Sequence, residues 1–337
     1  MRKGLKTLVV TASAVALLSG AVLLYPSVSK AFQNKASGVA SDPGAVFGKY
    51  ILAPEPILAQ AKPMLKVDSA DMTEPGTTPD SAVHYYPNEA CWKVIDTVEA
   101  RTRAGDTAGA ISALDDALRK PDWAPGDKVS LYRRRAWLWI EKGEWKAAAA
   151  DYERAIEEIG SNDLCEEMRL RQAQVFCYKS LGDWQAANSA CRTAIGKLDA
   201  KIAKFERGER MVGFAGRYYD TLAADSYYYD RGIFYSLMKK WGKAVRDLNH
   251  VLECRDPRNS NYGYVLQTLG EVYHEAGRYR KAVWYYSRAV EKYNEKADAT
   301  PLMRAYESRA KSYDRLGLKR KADADREEAK RIEEKYK

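Results

Sequence analysis

The segment "LGEVYHEAGRYRKAVWYYSRA", residues 269–289, decides the fold because it sets small residues at fixed places among bulky rings. The small residues are Gly270, Gly277, Ala282 and Ala289. A helix brings residues three, four and seven apart onto one face, so small side chains at these offsets let two helices approach closely. The segment is therefore predicted to be a helical hairpin that turns at Gly277 and packs its rings against neighbouring hairpins.

The same arrangement recurs six times along the chain. A Gly or Lys that opens a turn is followed five residues later by Ala, at Gly105/Ala110, Gly143/Ala148, Gly182/Ala187, Lys239/Ala244, Gly277/Ala282 and Gly317/Ala322. Successive alanines lie 38 to 40 residues apart, except for 57 residues between the third and the fourth. A recurring small-residue pattern of this kind predicts a stack of similar hairpins rather than a single core.

The repeated unit resembles the tetratricopeptide repeat, whose pattern is large-x2-Leu-Gly-x2-Tyr followed by Ala-x3-aromatic. The fifth unit carries the resemblance through Leu266, Leu269, Gly270, Tyr273, Ala282, Tyr286 and Ala289. The resemblance implies an all-α fold, an α-solenoid of about six helical hairpins that forms a right-handed superhelix. The repeat domain is expected to cover residues 83–337, with units at about 91–122, 129–162, 168–200, 225–257, 263–296 and 303–337.

Residues 1–31 have the form of a targeting segment. Arg2, Lys3 and Lys6 precede an uncharged run from Thr7 to Tyr25. This order is typical of a cleaved secretory signal, but the run is also long enough for an uncleaved membrane anchor, and both interpretations stay open. Either one predicts that the rest of the chain is exported to a periplasmic or other extracytoplasmic location. Residues 32–82, rich in Pro, Gly, Ser and Asp, are predicted to be a disordered linker.

The net charge and the absence of known catalytic motifs limit the classes of function that we expect. The chain has a net charge of +9, but the N-terminal 35 residues supply +5 of it, and the remaining +4 is too small to predict nucleic-acid binding. None of the sequences G-x-S-x-G, G-x-G-x-x-G, H-E-x-x-H or a P-loop is present, and the chain has three histidines. The five cysteines have no zinc spacing. We therefore expect no enzymatic activity, no cofactor and no metal.

In this family, first-helix side chains at repeat positions 2, 5, 9 and 12 line the concave face, where peptides or partner helices lie. Carried onto this chain, these positions give a set that we call the groove stripe: Arg133, Trp137, Arg169, Gln172, Phe176, Lys179, Tyr229, Ile233, Tyr264, Gln267, Glu271 and His274. Trp137 and Phe176 are the candidate anchors, since aromatic side chains often dominate binding energy.

The resulting hypothesis is an exported scaffold that binds a protein or peptide in its groove and assists assembly of a cell-envelope complex. Nucleic acid is not an expected partner, and a membrane is expected to be contacted only through the N-terminal segment. Two alternatives stay open: recognition of glycan or cell-wall material by the aromatic groove, and self-association into a homo-oligomer.

Overall fold

The computed structural model describes residues 87–160, 163–208, 220–255 and 261–336. Within these ranges the chain forms helices and no strand, so the predicted all-α class is confirmed. The predicted signal or anchor segment and the linker, residues 1–31 and 32–82, lie outside the described residues. No helix in the described ranges combines the length and the apolar character that a membrane crossing requires.

The described helices are, in chain order, α1 Glu89–Arg103, α2 Thr107–Leu118, α3 Pro125–Lys142, α4 Trp145–Ile159, α5 Leu164–Ser180, α6 Trp184–Glu206, α7 Asp220–Leu237, α8 Trp241–Cys254, α9 Asn261–Glu275, α10 Tyr279–Lys292, α11 Ala299–Arg315 and α12 Lys319–Tyr336. Each odd-numbered helix and the helix after it form one hairpin. The longest, α6, has 23 residues and takes up the beginning of the long spacing between the third and fourth turns.

The described residues fall into two compact units. The N-terminal unit contains residues 87–190 and therefore α1 to α5 with the start of α6. The C-terminal unit contains residues 191–208 and 221–336, the rest of α6 with α7 to α12. Each unit has its own buried cluster, formed around Val98, Leu114 and Leu131 in the first and around Leu248 and Leu269 in the second.

The hairpin turns are set by local backbone geometry. Gly277 has a φ of +72°, a left-handed conformation that strains residues with a Cβ atom. In this turn the Gly277 amide donates to the carbonyl of His274 at 2.9 Å, and the Arg278 amide donates to the carbonyl of Tyr273 at 2.8 Å. These bonds satisfy helix-end carbonyls that would otherwise lack partners. Lys239 is the exception among the turn residues, since it adopts a φ of +59° without being glycine.

Close contact between helices explains why small residues recur among the aromatic residues of the segment 269–289. A Cβ atom added to Gly270 would lie 2.6 Å from ring atoms of Tyr286 on the partner helix. Ala282 and Ala289 are completely buried. The glycine therefore makes room for an aromatic ring, and the fully packed interior leaves little freedom for a larger residue.

Three hairpins share a buried ion pair that we call the Arg–Asp clamp. In each, an arginine of the first helix donates two hydrogen bonds of 2.6–2.9 Å to an aspartate sixteen residues later on the second helix. The guanidinium also donates to a residue of an earlier helix. The clamps are Arg135–Asp151 with Asp115, Arg231–Asp247 with Asp199, and Arg309–Asp325 with Ser287. Each clamp thus joins three helices through one planar group.

The cysteines all carry free thiols. Cys91 and Cys177 are buried, and burial raises the pKa of the Cys91 thiol to about 12, with Asp127 adding to the effect. A thiol with a raised pKa is a poor nucleophile, so these side chains act as small apolar residues of the core.

Candidate functional site

In the C-terminal unit the groove stripe begins with a hydrogen-bonded tyrosine. The Thr268 hydroxyl donates to the carbonyl of Tyr264 at 3.0 Å, so the Tyr229 hydroxyl is placed as the donor in its own 2.9 Å bond to Thr268. Burial raises the pKa of Tyr229 to about 12, which keeps this donor protonated. Tyr229 of α7 is thereby fixed against α9. Ile233, one turn later, is buried.

A second chain of hydrogen bonds runs along α9. The Tyr293 hydroxyl donates to Gln267 Oε1 at 2.9 Å, and Gln267 Nε2 donates to Glu271 Oε1 at 3.3 Å. The ring of Tyr264 meets the ring of Tyr293 edge-on at 5.5 Å. Tyr264 is 41% exposed, whereas Gln267 is buried. The Tyr264 ring is therefore open to a partner, whereas the side-chain amide of Gln267 is already hydrogen-bonded within the fold.

The carboxyls of Glu271 and Glu307 are both poorly solvated. Burial raises the pKa of Glu271 to about 7, although Gln267, Arg304 and Lys311 favour its ionised form. Burial also raises the pKa of Glu307, on α11, to about 7. Carboxyls with pKa values near neutrality exchange protons in the physiological range, and a partner that donates hydrogen bonds would favour their ionised form.

His274 closes the stripe on α9. Its Nδ1 lies 2.8 Å from the Ser312 hydroxyl, which itself donates to the carbonyl of Ser308 at 3.2 Å, so Nδ1 is placed as the donor. Burial and the nearby charges of Lys311 and Arg315 lower the pKa of His274 to about 4. The imidazole is therefore neutral at pH 7 and holds α9 to α11 by a hydrogen bond rather than by charge.

Lys311 of α11 has a buried charged group whose hydrogen bonds are not satisfied. Its Nζ atom is shielded from water and has no hydrogen-bond partner among the described residues. Burial lowers its pKa to about 8, against the attraction of Glu307 and Glu271. An ammonium has three donors, and leaving them without acceptors in a shielded position is costly. An acceptor from another molecule would satisfy this ammonium if the Lys311 side chain turned out of its shielded position.

Lys311, together with Arg304 and Glu307, was missing from the sequence-based groove stripe. The register that assigns Tyr264, Gln267 and Glu271 to positions 2, 5 and 9 of the fifth repeat assigns these three to the same positions of the sixth. The signal was therefore present in the periodicity of the sixth repeat.

In the N-terminal unit two arginines of the groove stripe share one carboxylate. Arg133 donates to Glu166 Oε1 at 2.8 Å, and Arg169 donates to Glu166 Oε2 at 3.2 Å. Glu166 is itself buried, while Arg169 is exposed. The carboxylate therefore orients both guanidinium groups and neutralises part of their charge.

The remaining stripe residues of this unit are largely covered. Phe176 is 2% exposed and meets Trp145 edge-on at 5.5 Å, and Trp137 is half-buried against the cluster of the first hairpins. Gln172 is buried, and the ammonium of Lys179 lies 6.0 Å from the ring of Trp184. In the structure as it stands, a partner would reach little of Phe176, because its ring is engaged in the core.

No group of three or more His, Cys, Asp or Glu side chains in the described ranges is arranged to hold a metal ion.

The family resemblance can be tested by comparison with known proteins. A model of the tetratricopeptide repeat matches residues 222–295, which contain α8, α9 and α10. Residues 222–295 therefore carry tetratricopeptide repeat sequence. Comparison with curated protein sequences finds no match.

Solved structures similar to this chain include BtubC (BKLC) from P. vanneervenii, with 16% identity, a TM-score of 0.43 and coverage of 73% of this chain and 92% of that one. The apo form of RapI has 13% identity, a TM-score of 0.43 and coverages of 73% and 99%. PilW, a type IV pilus biogenesis factor, has 15% identity, a TM-score of 0.40 and coverages of 71% and 91%.

Proposed function

We propose that the chain is an exported, non-enzymatic scaffold that binds a protein or peptide along its groove stripe and assists assembly of a cell-envelope complex. The tetratricopeptide repeats support the role of a protein-interaction scaffold. Export and the envelope rest on the N-terminal sequence, and the choice of partner rests on the chemistry of the C-terminal unit.

The observation that carries the binding proposal is the cluster formed by Lys311, Glu271 and Glu307. Lys311 Nζ has no hydrogen-bond acceptor among the described residues, and burial raises the pKa values of Glu271 and Glu307 to about 7. An extended peptide offers carbonyl oxygens and amide N–H groups in alternation along its backbone. Once the Lys311 side chain turns out of its shielded position, such a peptide can supply an acceptor to the ammonium and donors to the carboxylates at the same time.

The exposure of the aromatic side chains favours a peptide over a glycan. Stacking on a sugar requires an accessible ring face, and Phe176 is covered by the core while Trp137 and Tyr229 are half-buried. Tyr264 alone among the aromatic groove-stripe residues is more than a third exposed. A single open ring beside a set of hydrogen-bonding groups suits a polar backbone better than a row of sugar rings.

A photo-crosslinking amino acid at position 264 of the full chain tests the groove in its native cells. We expect a defined protein adduct at 264, and no such adduct from the control position 284, where Trp284 is also exposed but lies on a second helix. Lys311→Met in the same background should leave the fold intact and weaken binding about 10-fold or more, because a hydrogen bond to a charged group contributes about 1.5–3 kcal/mol.

Three outcomes would contradict the proposed binding of a peptide in the groove. An adduct that forms equally at 264 and 284 would show that the groove does not select the partner. Retention of the protein by purified cell-wall polysaccharide, lost with Tyr264→Ala, would replace the peptide by a glycan. An adduct between copies of the chain, with a molecular mass that rises with concentration, would show self-association. Export is tested separately with a C-terminal reporter enzyme that is active only outside the cytoplasm.

A further inference from the structure

A band of positive charge follows the hairpin turns of the C-terminal unit. The three turns join α7 to α8, α9 to α10 and α11 to α12. We call their exposed cations the basic edge: Lys239, Lys240, Lys243, Arg246, Arg278, Arg280, Lys281, Arg315, Lys319, Arg320 and Lys321. Near these turns the sequence has few acids, Glu275, Asp314 and Asp323 among them. The modest net charge of the chain conceals this concentration, because it averages over all surfaces.

The turns lie on the same side of the unit. When hairpins stack in sequence, the turns between the two helices of each hairpin all lie at one edge, since each helix runs antiparallel to the next. Arg315, at the end of α11, donates to the Tyr279 hydroxyl at the start of α10 at 3.0 Å, and its guanidinium lies 5.1 Å from the ring of Tyr279. This contact joins the second turn to the third. The cations of the second and third turns therefore lie on one continuous surface.

The position of one lysine in each turn is fixed by an aromatic ring. Lys243 lies 5.3 Å from the ring of Tyr235, Lys281 lies 5.3 Å from that of Tyr273, and Lys321 lies 5.8 Å from that of Tyr313. The three pairs occupy the same positions of three repeats. Each ammonium is therefore held beside a ring, at the edge where the cations gather.

Lys239 shows that charge is kept at this edge despite a local strain. Its φ of +59° is the conformation that the corresponding turns assign to glycine, as at Gly277 and Gly317. A residue with a Cβ atom is destabilised in this conformation by about 1–2 kcal/mol. Strain that is retained where glycine would relieve it points to a role for the side chain.

We propose that the basic edge binds the anionic phospholipid surface of a membrane. A flat anionic bilayer can contact cations on several adjacent turns at once, and each Lys or Arg near such a surface contributes about 1 kcal/mol. The last turn also presents Leu318, 42% exposed between the cations, as an apolar group that can enter the interface. This proposal adds a second membrane contact to the one expected from the N-terminal segment.

The sequence of the N-terminal region favours a bilayer as the occupant. If residues 1–31 act as the predicted anchor, they hold the repeats near a membrane, and the resulting high effective concentration lets a weak electrostatic contact become occupied. The proposal does not depend on what occupies the groove stripe.

Lysine acetylation of the full chain in nanodiscs provides the test. In discs that contain phosphatidylglycerol, Lys240, Lys281 and Lys319 should react at least about 5-fold more slowly than in discs of phosphatidylcholine alone. The rate at Lys296, away from the edge, should not change. The protection should disappear as salt rises towards 1 M, because screening shortens the reach of surface charges.

Two sets of variants distinguish an effect of the basic edge from an effect of the total positive charge of the unit. Lys240→Gln, Arg280→Gln and Lys319→Gln together remove one exposed cation from each turn and should abolish the protection of Lys281. Lys292→Gln, Lys296→Gln and Lys330→Gln remove the same charge elsewhere on the unit and should preserve it. Lys239→Gly should raise the unfolding temperature, by relieving the strain, while reducing the protection.

Two results would overturn the proposal. Equal reactivity of the edge lysines in the two kinds of disc would show that no lipid surface is bound. Protection by duplex DNA in neutral discs, without protection by phosphatidylglycerol, would assign the edge to a soluble polyanion instead.

Discussion

The Arg–Asp clamp of the last hairpin makes the sharpest test of how the repeats are held together. Arg309 of α11 donates to both carboxylate oxygens of Asp325 on α12, at 2.8 and 2.7 Å, and to Ser287 of α10 at 3.0 Å. The change to make is Arg309→Met, which keeps much of the apolar stem and removes the guanidinium. The Asp325 carboxylate is then left in place without its main partner.

The expected loss follows from the burial of the pair. Three charge-assisted hydrogen bonds at about 1.5–3 kcal/mol each would set an upper range of about 5–9 kcal/mol, whereas breaking a buried ion pair costs about 3–5 kcal/mol. The side chains of Arg309 and Asp325 are 15% and 8% exposed, so water solvates the orphaned carboxylate in part. We therefore expect the lower end, about 3 kcal/mol.

Amide hydrogen exchange with peptide resolution is the appropriate assay, because a terminal repeat can open while the rest of the stack stays folded. A loss of about 3 kcal/mol corresponds to exchange about 100-fold faster in α11 and α12. Arg326→Met is the matched control on the same hairpin, since Arg326 is 43% exposed and its pairs with Asp314 and Asp323 are at the surface. It should change stability by less than about 1 kcal/mol.

The double variant Arg309→Met, Asp325→Leu decides the cause. When both charges are replaced by apolar groups, no uncompensated charge is left, and protection should return to within about 1 kcal/mol of the natural protein. If the double variant is as unstable as the single one, packing around Arg309 rather than the orphaned carboxylate explains the loss. If Arg309→Met exchanges no faster than Arg326→Met, the clamp does not stabilise the hairpin.

Two further predictions concern the C-terminal unit. Gly270→Ala should lower the free energy of unfolding by about 1–3 kcal/mol in urea titrations, because the new methyl group collides with the Tyr286 ring. The control Gly196→Ala, with open space around the site, should raise this free energy by up to about 1 kcal/mol. Equal effects of the two substitutions would refute the crowding argument. Because burial raises the folded-state pKa of Glu271 to about 7 from the ordinary 4.5, the carboxyl favours the folded state below pH 4.5 and loses this contribution as the pH rises to 7. Glu271→Gln should therefore be more stable relative to the natural protein at pH 8 than at pH 5, by about 1–3 kcal/mol, and a pH-independent difference would show that this carboxyl is well solvated.

The hairpin repeat could be read from the sequence because its causes are local and periodic. Gly277 and Gly317 supply left-handed turn conformations, and Ala282 and Ala322 recur at a fixed distance after them. Backbone conformation and helical periodicity depend on residues within a few turns of each other. The register also identifies which side chains share a helix face, and it extends to Lys311 in the sixth repeat.

Exposure and charge state could not be read in the same way. Phe176 has the register of a groove residue, but its ring is covered by contact with Trp145 from the preceding hairpin. Lys311 has the register of a groove residue, but its ammonium is shielded from water. The free energy of a buried ring or charge is a sum over atoms brought together from different repeats, and three-dimensional packing decides which of them meet. The sequence thus determined the hairpins and their faces, and the tertiary structure determined which side chains on those faces a partner can reach.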